Sequence, residues 1–391
     1  MKAGIVCEYN PLHNGHLYHM DMTEKAGADS IICVMSGNFV QRGECACVDK
    51  WKRAEATIKC GANLVLDLPV PWAMGSAESF ARGSISLLSH FNIDILSFGS
   101  ETENEELLHF CAKISEYEDV GELLKKYVSQ GDNYPAALTK AVAELFGDKR
   151  AEAISSPNST LAVEYIKQLY KYAPDCKILP IKRVAVGHDS KSINDGFASA
   201  SRIRQLIGND NLSEFIPPFM EKAITEGIAD GTVPYKTDHA ERAVLSELRQ
   251  MKREEYSLYV TDESGLSDRI YNSVKTAVNL NELCEFSKSK NYTHSRVRRE
   301  VMNLYLRIPK EFHRYEPPYI RILAADEKGL SLLKGVRNIP LVTKHSDAQN
   351  LDSFGKEVYS LQCSSTDKFA LMSRKIGYCG MEQKKSLIIV K

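Results

Sequence analysis

Cys7-Glu8-Tyr9-Asn10-Pro11-Leu12-His13-Asn14-Gly15-His16 lies between two different patterns. Before it, Lys2–Cys7 is a short apolar run of strand type; after it, His16–Ala26 has helical spacing. A strand that ends in a polar, Pro-containing loop and continues as a helix opened by His-x-Gly-His is arranged for phosphate chemistry. The helix start offers unpaired N–H groups and partial positive charge. Gly15 has no side chain, so a base or ribose could lie against the backbone there. His13 and His16, three positions apart, share one side of the first turn, where they could donate to charge building on phosphate oxygens. Zinc ligation and plain helix capping are the competing readings. Zinc is disfavoured, because no Cys or carboxylate stands nearby at ligand spacing and Cys45-x-Cys47 is too closely spaced.

Outward from this loop, the first two hundred residues alternate strand and helix signals. Ser30–Met35, Asn63–Leu68, Ile93–Ser97 and Cys176–Ile181 are short apolar strand candidates. Asp49–Cys60, Ser76–Ser89 and Ser199–Ile207 read as helices, with Asp49 and Ser199 as caps, and Ser156-Pro157-Asn158 opens another. This order predicts a parallel sheet with helices on both faces. Ligands of such sheets sit at the carboxyl ends of strands, which also points to Ser36-Gly37-Asn38 and to the basic residues Arg42, Lys50, Lys52 and Arg53. After Ile216-Pro217-Pro218 the signals are mostly helical (Ala240–Met251, Ser267–Val278, Thr293–Leu306). A small α/β unit follows, with strand Ile320–Ala324, helix Glu327–Leu333 and strand Pro340–Thr343. Two domains are expected, 1–213 and 214–391.

The chain of 391 residues has 50 Lys+Arg against 51 Asp+Glu, which at first argues against a nucleic-acid partner. The total hides a polarity. Residues 1–210 hold 22 basic and 27 acidic side chains, and residues 211–391 hold 28 and 24. From Lys288 to Lys310 there are seven bases and one acid, Glu300. Lys288, Lys290, Arg296, Arg298 and Arg299 form a basic stripe that suits a phosphate backbone, with a solvated helix face as the plainer alternative. No apolar run reaches the length of a membrane-spanning helix, no secretory leader is visible, and the scattered cysteines fit reduced thiols, so a cytoplasmic protein is expected.

Longer strings around the first loop narrow the reading. Gly4 to His16 is one. Met35-Ser36-Gly37-Asn38-Phe39-Val40-Gln41-Arg42-Gly43-Glu44 is a second, and Asp67-Leu68-Pro69 with Ser76-Ala77-Glu78-Ser79-Phe80-Ala81 a third. Ser97-Phe98-Gly99-Ser100-Glu101, Ser156-Pro157-Asn158, Ile181-Lys182-Arg183, Thr293 to Arg299 and Tyr319 to Leu323 complete the set. The His-x-Gly-His turn resembles the signature of the nucleotidyltransferase-like α/β superfamily. The whole set resembles the bacterial tRNA(Met) cytidine acetate ligases, over essentially the entire chain. That resemblance implies a Rossmann-like nucleotidyltransferase sheet followed by a mostly helical tRNA-binding domain. It implies an enzyme that activates acetate with ATP as acetyl-adenylate, without acetyl-CoA. The acetyl group then passes to N4 of the wobble cytidine of elongator tRNA(Met). It also implies an ATP site lined by Cys7, Glu8, Tyr9, Asn10, Pro11, Leu12, His13, Asn14, Gly15 and His16 and completed by Gly99, Asn158 and Arg183, with His13, His16 and Arg183 stabilising the reacting phosphate. Related nucleotidyltransferases carry a Ser-rich segment before an Arg on a late helix, which here assigns Ser199, Ser201 and Arg204 to the β- and γ-phosphates. Mg²⁺ is expected on the pyrophosphate, and no metal ligand is assigned in the chain. Two other readings stay open: an adenylyltransferase of small molecules, and a non-catalytic RNA-binding protein on the same fold.

Overall fold

The structure, a computed structural model, describes residues 1–114, 117–132, 134–148, 150–151, 157–182, 196–209, 211–261, 265–289 and 292–391. Strands β1 (Lys2–Cys7), β2 (Ser30–Ser36), β5 (Leu64–Leu68), β6 (Ile95–Ser100) and β7 (Lys177–Lys182) form a parallel array. Between β2 and β5 a two-stranded hairpin, β3 (Phe39–Val40) and β4 (Glu44–Cys45), stands off the sheet. The main order is β5-β2-β1-β6-β7, so the winding direction reverses between β1 and β6. That reversal leaves a crevice at the carboxyl ends of β1 and β6, where doubly wound sheets bind ligands.

The alternation of side chains along each strand builds two cores. Ile32, Val34, Leu64, Leu66, Leu96 and Phe98 pack on one face against helices Ala77–Ser89, Glu105–Lys113 and Pro157–Tyr172. Ala3, Ile5, Cys33, Met35 and Val65 pack on the other against Asn14–Lys25, Lys50–Lys59, Ala200–Leu206 and Pro218–Asp230. Asp49 and Ser199 cap their helices as expected, their side chains accepting from backbone N–H groups of the first turn.

A third core is helical, built from Glu241–Gln250, Arg253–Tyr259, Leu266–Ser273, Leu280–Ser287 and His294–Leu306. It also takes in Phe39, Cys45, Val70 and Met74 from the first half and Phe369 from the helix Ser353–Phe369. The expected small α/β unit is present, as strand, helix Glu327–Leu333 and a second strand parallel to the first. Its strands β8 (Ile320–Ala325) and β9 (Leu341–Val342), with β10 (Ile388–Ile389), are not a separate layer. β8 pairs antiparallel with β5, and β9 and β10 pair with β8, giving one eight-stranded sheet among the described residues. The physical reason is the outer edge of β5: five buried residues that need a partner, which β8 supplies with Arg321, Ile322, Ala324 and Ala325. The sheet therefore crosses the division expected at 213/214. Among the described residues no helix is long and apolar enough to cross a membrane.

Candidate active site

The first loop follows β1 at the reversal point. Tyr9 takes a left-handed backbone (φ +45°), an uncommon conformation for a large side chain, held by neighbours on every side. Arg53, fully buried, donates from Nη1 to the Glu8 carbonyl (2.6 Å) and the Ser36 carbonyl (3.1 Å), from Nε to Val48 (2.9 Å), and from Nη2 to the Gly37 carbonyl. One guanidinium thus ties the ends of β1 and β2 together. Asn10 Oδ1 accepts from the Cys47 N–H (2.8 Å), and the Asn10 carbonyl accepts from Arg204 Nη1 (2.8 Å). Glu8 Oε1 accepts from the Gln41 N–H (2.7 Å), and burial raises its carboxyl pKa against the pull of Gln41 and Arg42.

His13 is the cap of the helix Asn14–Lys25. Its Nδ1 accepts from the Gly15 N–H (3.1 Å), and His16 Nδ1 accepts in return from the His13 N–H (3.2 Å), a capping box made of two imidazoles. The rings stack at 3.6 Å between centroids, and Tyr9 lies 4.7 Å from His16. A neutral imidazole that accepts at Nδ1 carries its proton on Nε2, so both rings become Nε2–H donors.

Two expectations are corrected here. The helix start does not present open N–H groups. Asn14 N–H donates to Phe215 (2.8 Å), Gly15 N–H to the His13 ring, and His16 and Leu17 N–H to the His13 carbonyl. Gly15 is needed for the chain itself: a Cβ there would stand 2.9 Å from His13 Cε1, so the missing side chain makes room for the imidazole.

The other residues of the stretch mostly pack. Cys7, Tyr9 and Leu12 belong to the core beneath the loop, and Pro11 is buried. Burial holds the Cys7 thiol well above its ordinary pKa, so it is no nucleophile. Asn14 Nδ2 donates to the carbonyls of Gly196 (3.0 Å) and Glu214 (2.8 Å), which fastens the helix start to the segments on either side of Ala200–Leu206. Gly99 lies in β6 one residue from its end, on the strand adjoining β1. Asn158 stands in the first turn of Pro157–Tyr172. Arg183 and Lys290 lie outside the described residues. Ser199 caps its helix by accepting from Arg202 N–H (3.2 Å), and Ser201 Oγ accepts from Arg204 Nη2 (3.3 Å). The fold thus brings His13, His16, Gly99, Ser201 and Arg204 to the carboxyl ends of β1 and β6.

Three features had no counterpart in the sequence reading. His19, half-buried at the surface of the core and held near pKa 4 by loss of solvation, bonds Ser97 Oγ at 2.8 Å beneath the loop. Lys50, fully buried, pairs with Asp67 (2.5 Å) and Glu382 (2.7 Å), and Glu382 also pairs with Arg321 (3.2 Å). Burial and the neighbouring Glu382 raise the Asp67 pKa despite Lys50. At Glu382 burial is outweighed by Lys50 and Arg321, which lower it. This group seats the Ser36–Asn38 turn: Asn38 Oδ1 accepts from the Lys50 N–H (3.0 Å). Third, the hairpin β3–β4 packs on His294–Leu306. A Cβ on Gly43 would stand 2.6 Å from the Arg299 nitrogen, so only glycine fits at that left-handed turn (φ +76°).

That packing decides where the basic stripe points. Arg298 donates from Nε to the Arg42 carbonyl (2.9 Å) and pairs through Nη1 with Glu44 (2.5 Å). Arg299 is half-buried and close enough to His313 to help burial and Arg82 hold that imidazole near pKa 4. Lys288 is exposed beside Glu285 (3.8 Å), and Arg296 rests over the Tyr292 ring (5.5 Å). Among the described residues, no group of three or more His, Cys, Asp or Glu is placed to hold a metal ion.

Comparison with known proteins agrees with this geometry. A family model described as HIGH Nucleotidyl Transferase matches residues 1–384. The tRNA(Met) cytidine acetate ligase of Acetivibrio thermocellus is 34% identical over 411 residues, covering 99% of each chain. That of Caldanaerobacter subterraneus subsp. tengcongensis is 35% identical over 380 residues, covering 92% of this chain and 94% of the relative. Crystal structures of Thermotoga maritima TmcAL superpose over the full length of both chains at 27% identity, with TM-score 0.90 for the form bound with alpha-thio ATP and 0.91 for the apo form. The chain belongs to the HIGH nucleotidyltransferase family, and within it to the tRNA(Met) cytidine acetate ligases.

Proposed function

We propose that this protein activates acetate with ATP and transfers the acetyl group to the N4 amine of the wobble cytidine of elongator tRNA(Met). The observation that carries the reading is the locked pair of imidazoles at the reversal point, both with Nδ1 engaged by backbone N–H, and with Arg204 bonded to the same loop. In the first step a carboxylate oxygen of acetate attacks the α-phosphorus, the bond to the β-phosphate oxygen breaks, and pyrophosphate leaves. Negative charge grows on the equatorial α-oxygens, where Nε2–H of His13 and His16 donate. Arg204, Ser201 and Ser199 hold the β- and γ-phosphates, and Gly99 and Asn158 take the adenosine side. Arg183, directly after β7, adds a second guanidinium. In the second step the cytidine N4 attacks the acyl carbon, AMP leaves, and the amine loses a proton to give N4-acetylcytidine.

Mg²⁺ belongs to this scheme as part of the MgATP substrate, where it neutralises the leaving pyrophosphate. The helical half holds the anticodon arm. Lys288 and Arg296 with Tyr292 supply charge and an aromatic face for an RNA loop. The ten free cysteines suit a cytoplasmic enzyme.

The test is incubation with ATP, labelled acetate and bacterial tRNA, with ATP–pyrophosphate exchange followed in parallel. Label at an elongator tRNA(Met) cytidine supports the reading. Exchange without label in RNA would favour a small-molecule adenylyltransferase, and neither product a non-catalytic RNA binder.

A further inference from the structure

One carboxylate stands between the two halves of the proposed reaction. Glu44 on β4 gives Oε1 to Arg298 Nη1 of the basic helix (2.5 Å) and faces Arg204 Nη2 beside the first loop with Oε2 (3.7 Å). All three side chains are partly open to solvent, at 27%, 31% and 24%. Each arginine also holds a backbone carbonyl of the segment it serves: Arg204 that of Asn10, Arg298 that of Arg42. Two guanidiniums therefore share one negative charge at a junction reachable from both sides.

We propose that Glu44 is the counter-ion through which the nucleotide and RNA sites oppose each other. The proposal rests on the reading above that Arg204 meets ATP phosphates and the basic helix the RNA, and it adds Arg298, once Glu44 lets it go, to that RNA-binding face. A phosphate that takes Arg204 leaves Glu44 to Arg298 alone, and the tightened pair withholds Arg298 from RNA. When pyrophosphate departs, Arg204 turns back to Glu44 and Arg298 is released to the RNA. The grip on tRNA is then strongest once the acetyl-adenylate exists, so that the acyl acceptor is held when there is something to transfer. By linkage, RNA on Arg298 weakens ATP binding by the same factor.

The experiment measures tRNA affinity of the full-length protein alone and with saturating non-hydrolysable ATP analogue. In the wild type the analogue is expected to weaken RNA binding about fivefold, the low end of ordinary site-to-site coupling. In Glu44→Gln both ligands bind more tightly and the ratio falls to about one, whereas Glu44→Asp keeps the sign. The ratio is taken within each variant, so a lower folded fraction cancels. A wild-type ratio of one, or an unchanged ratio in Glu44→Gln, overturns the proposal. Arg298→Ala and the pair Lys288→Ala with Arg296→Ala separate the two ideas. If they weaken RNA binding while the wild-type ratio is one, the basic face stands and the Glu44 coupling fails. If none of them weakens it, the basic face itself is wrong and the coupling falls with it.

Discussion

The helices that begin at Asn14 and at His294 both open on a polar cap, yet they treat their functional side chains in opposite ways. At the first, every N–H of the opening turn is consumed, the two imidazoles are stacked, and Arg53 and Arg204 fix the loop by its carbonyls. At the second, Thr293 caps the helix by accepting from Arg296 N–H (3.3 Å), but Lys288 stays exposed and the Arg296 guanidinium lies over the Tyr292 ring. The difference follows from what each must meet. Charge that develops in a transition state is stabilised best by donors already in place. A long polyanion is held through displaced counter-ions, which tolerates mobile side chains.

That contrast can be broken in steps. Lys50→Met leaves Asp67 and Glu382 buried with less countercharge, and the fixed side should lose about 3–5 kcal/mol of stability in urea melts at pH 7. An unchanged midpoint would mean that the buried group does not anchor the site. His16→Ala should lower ATP–pyrophosphate exchange by about 10²–10³-fold while RNA affinity holds; a loss shared by both would put the imidazole in packing alone. His19 and His313 sharpen the picture through pH. Burial lowers both to about 4, so each is neutral in the fold. The unfolded chain binds the extra protons, so their contribution is full above pH ~6.5 and is lost as pH falls toward 4, by up to about 3 kcal/mol each. Urea midpoints should fall over that window, and His313→Asn should flatten the slope; a flat wild-type profile sinks the assignment. The smallest effect belongs to the open helix. Lys288→Ala with Arg296→Ala should weaken tRNA binding about tenfold and reduce the salt slope by about 2, with exchange intact.

The elements near the first loop were legible because short β-branched runs and polar caps are local signals: β1, β2, Asp49 and Ser199 lie where the pattern put them. The pairing of β8 with β5 was not, since it joins segments with no sequence relation. The burial of Lys50 and Arg53 ran against composition, because charged residues after a strand ordinarily face water, and their partners Asp67, Glu382 and the Gly37 carbonyl come from three separate elements. For the same reason the basic stripe read as one surface, although Arg298 is turned into the hairpin by Glu44 and the Arg42 carbonyl. The helix Ser353–Phe369 went unread, yet its Gln362 holds Asp67 at 3.1 Å.

The way β8 closes the sheet has a consequence for synthesis. Asn63 and Asp326, bonded at 2.8 Å beside that seam, are 263 positions apart. At about 5–20 residues per second, a ribosome needs roughly ten seconds to a minute between releasing one and the other. For that interval Leu64–Leu68 presents an apolar, unpaired edge. The nascent first half is thus an aggregation hazard that its own distant sequence relieves. Cutting the chain at 213 would make that hazard permanent rather than liberate a catalytic unit.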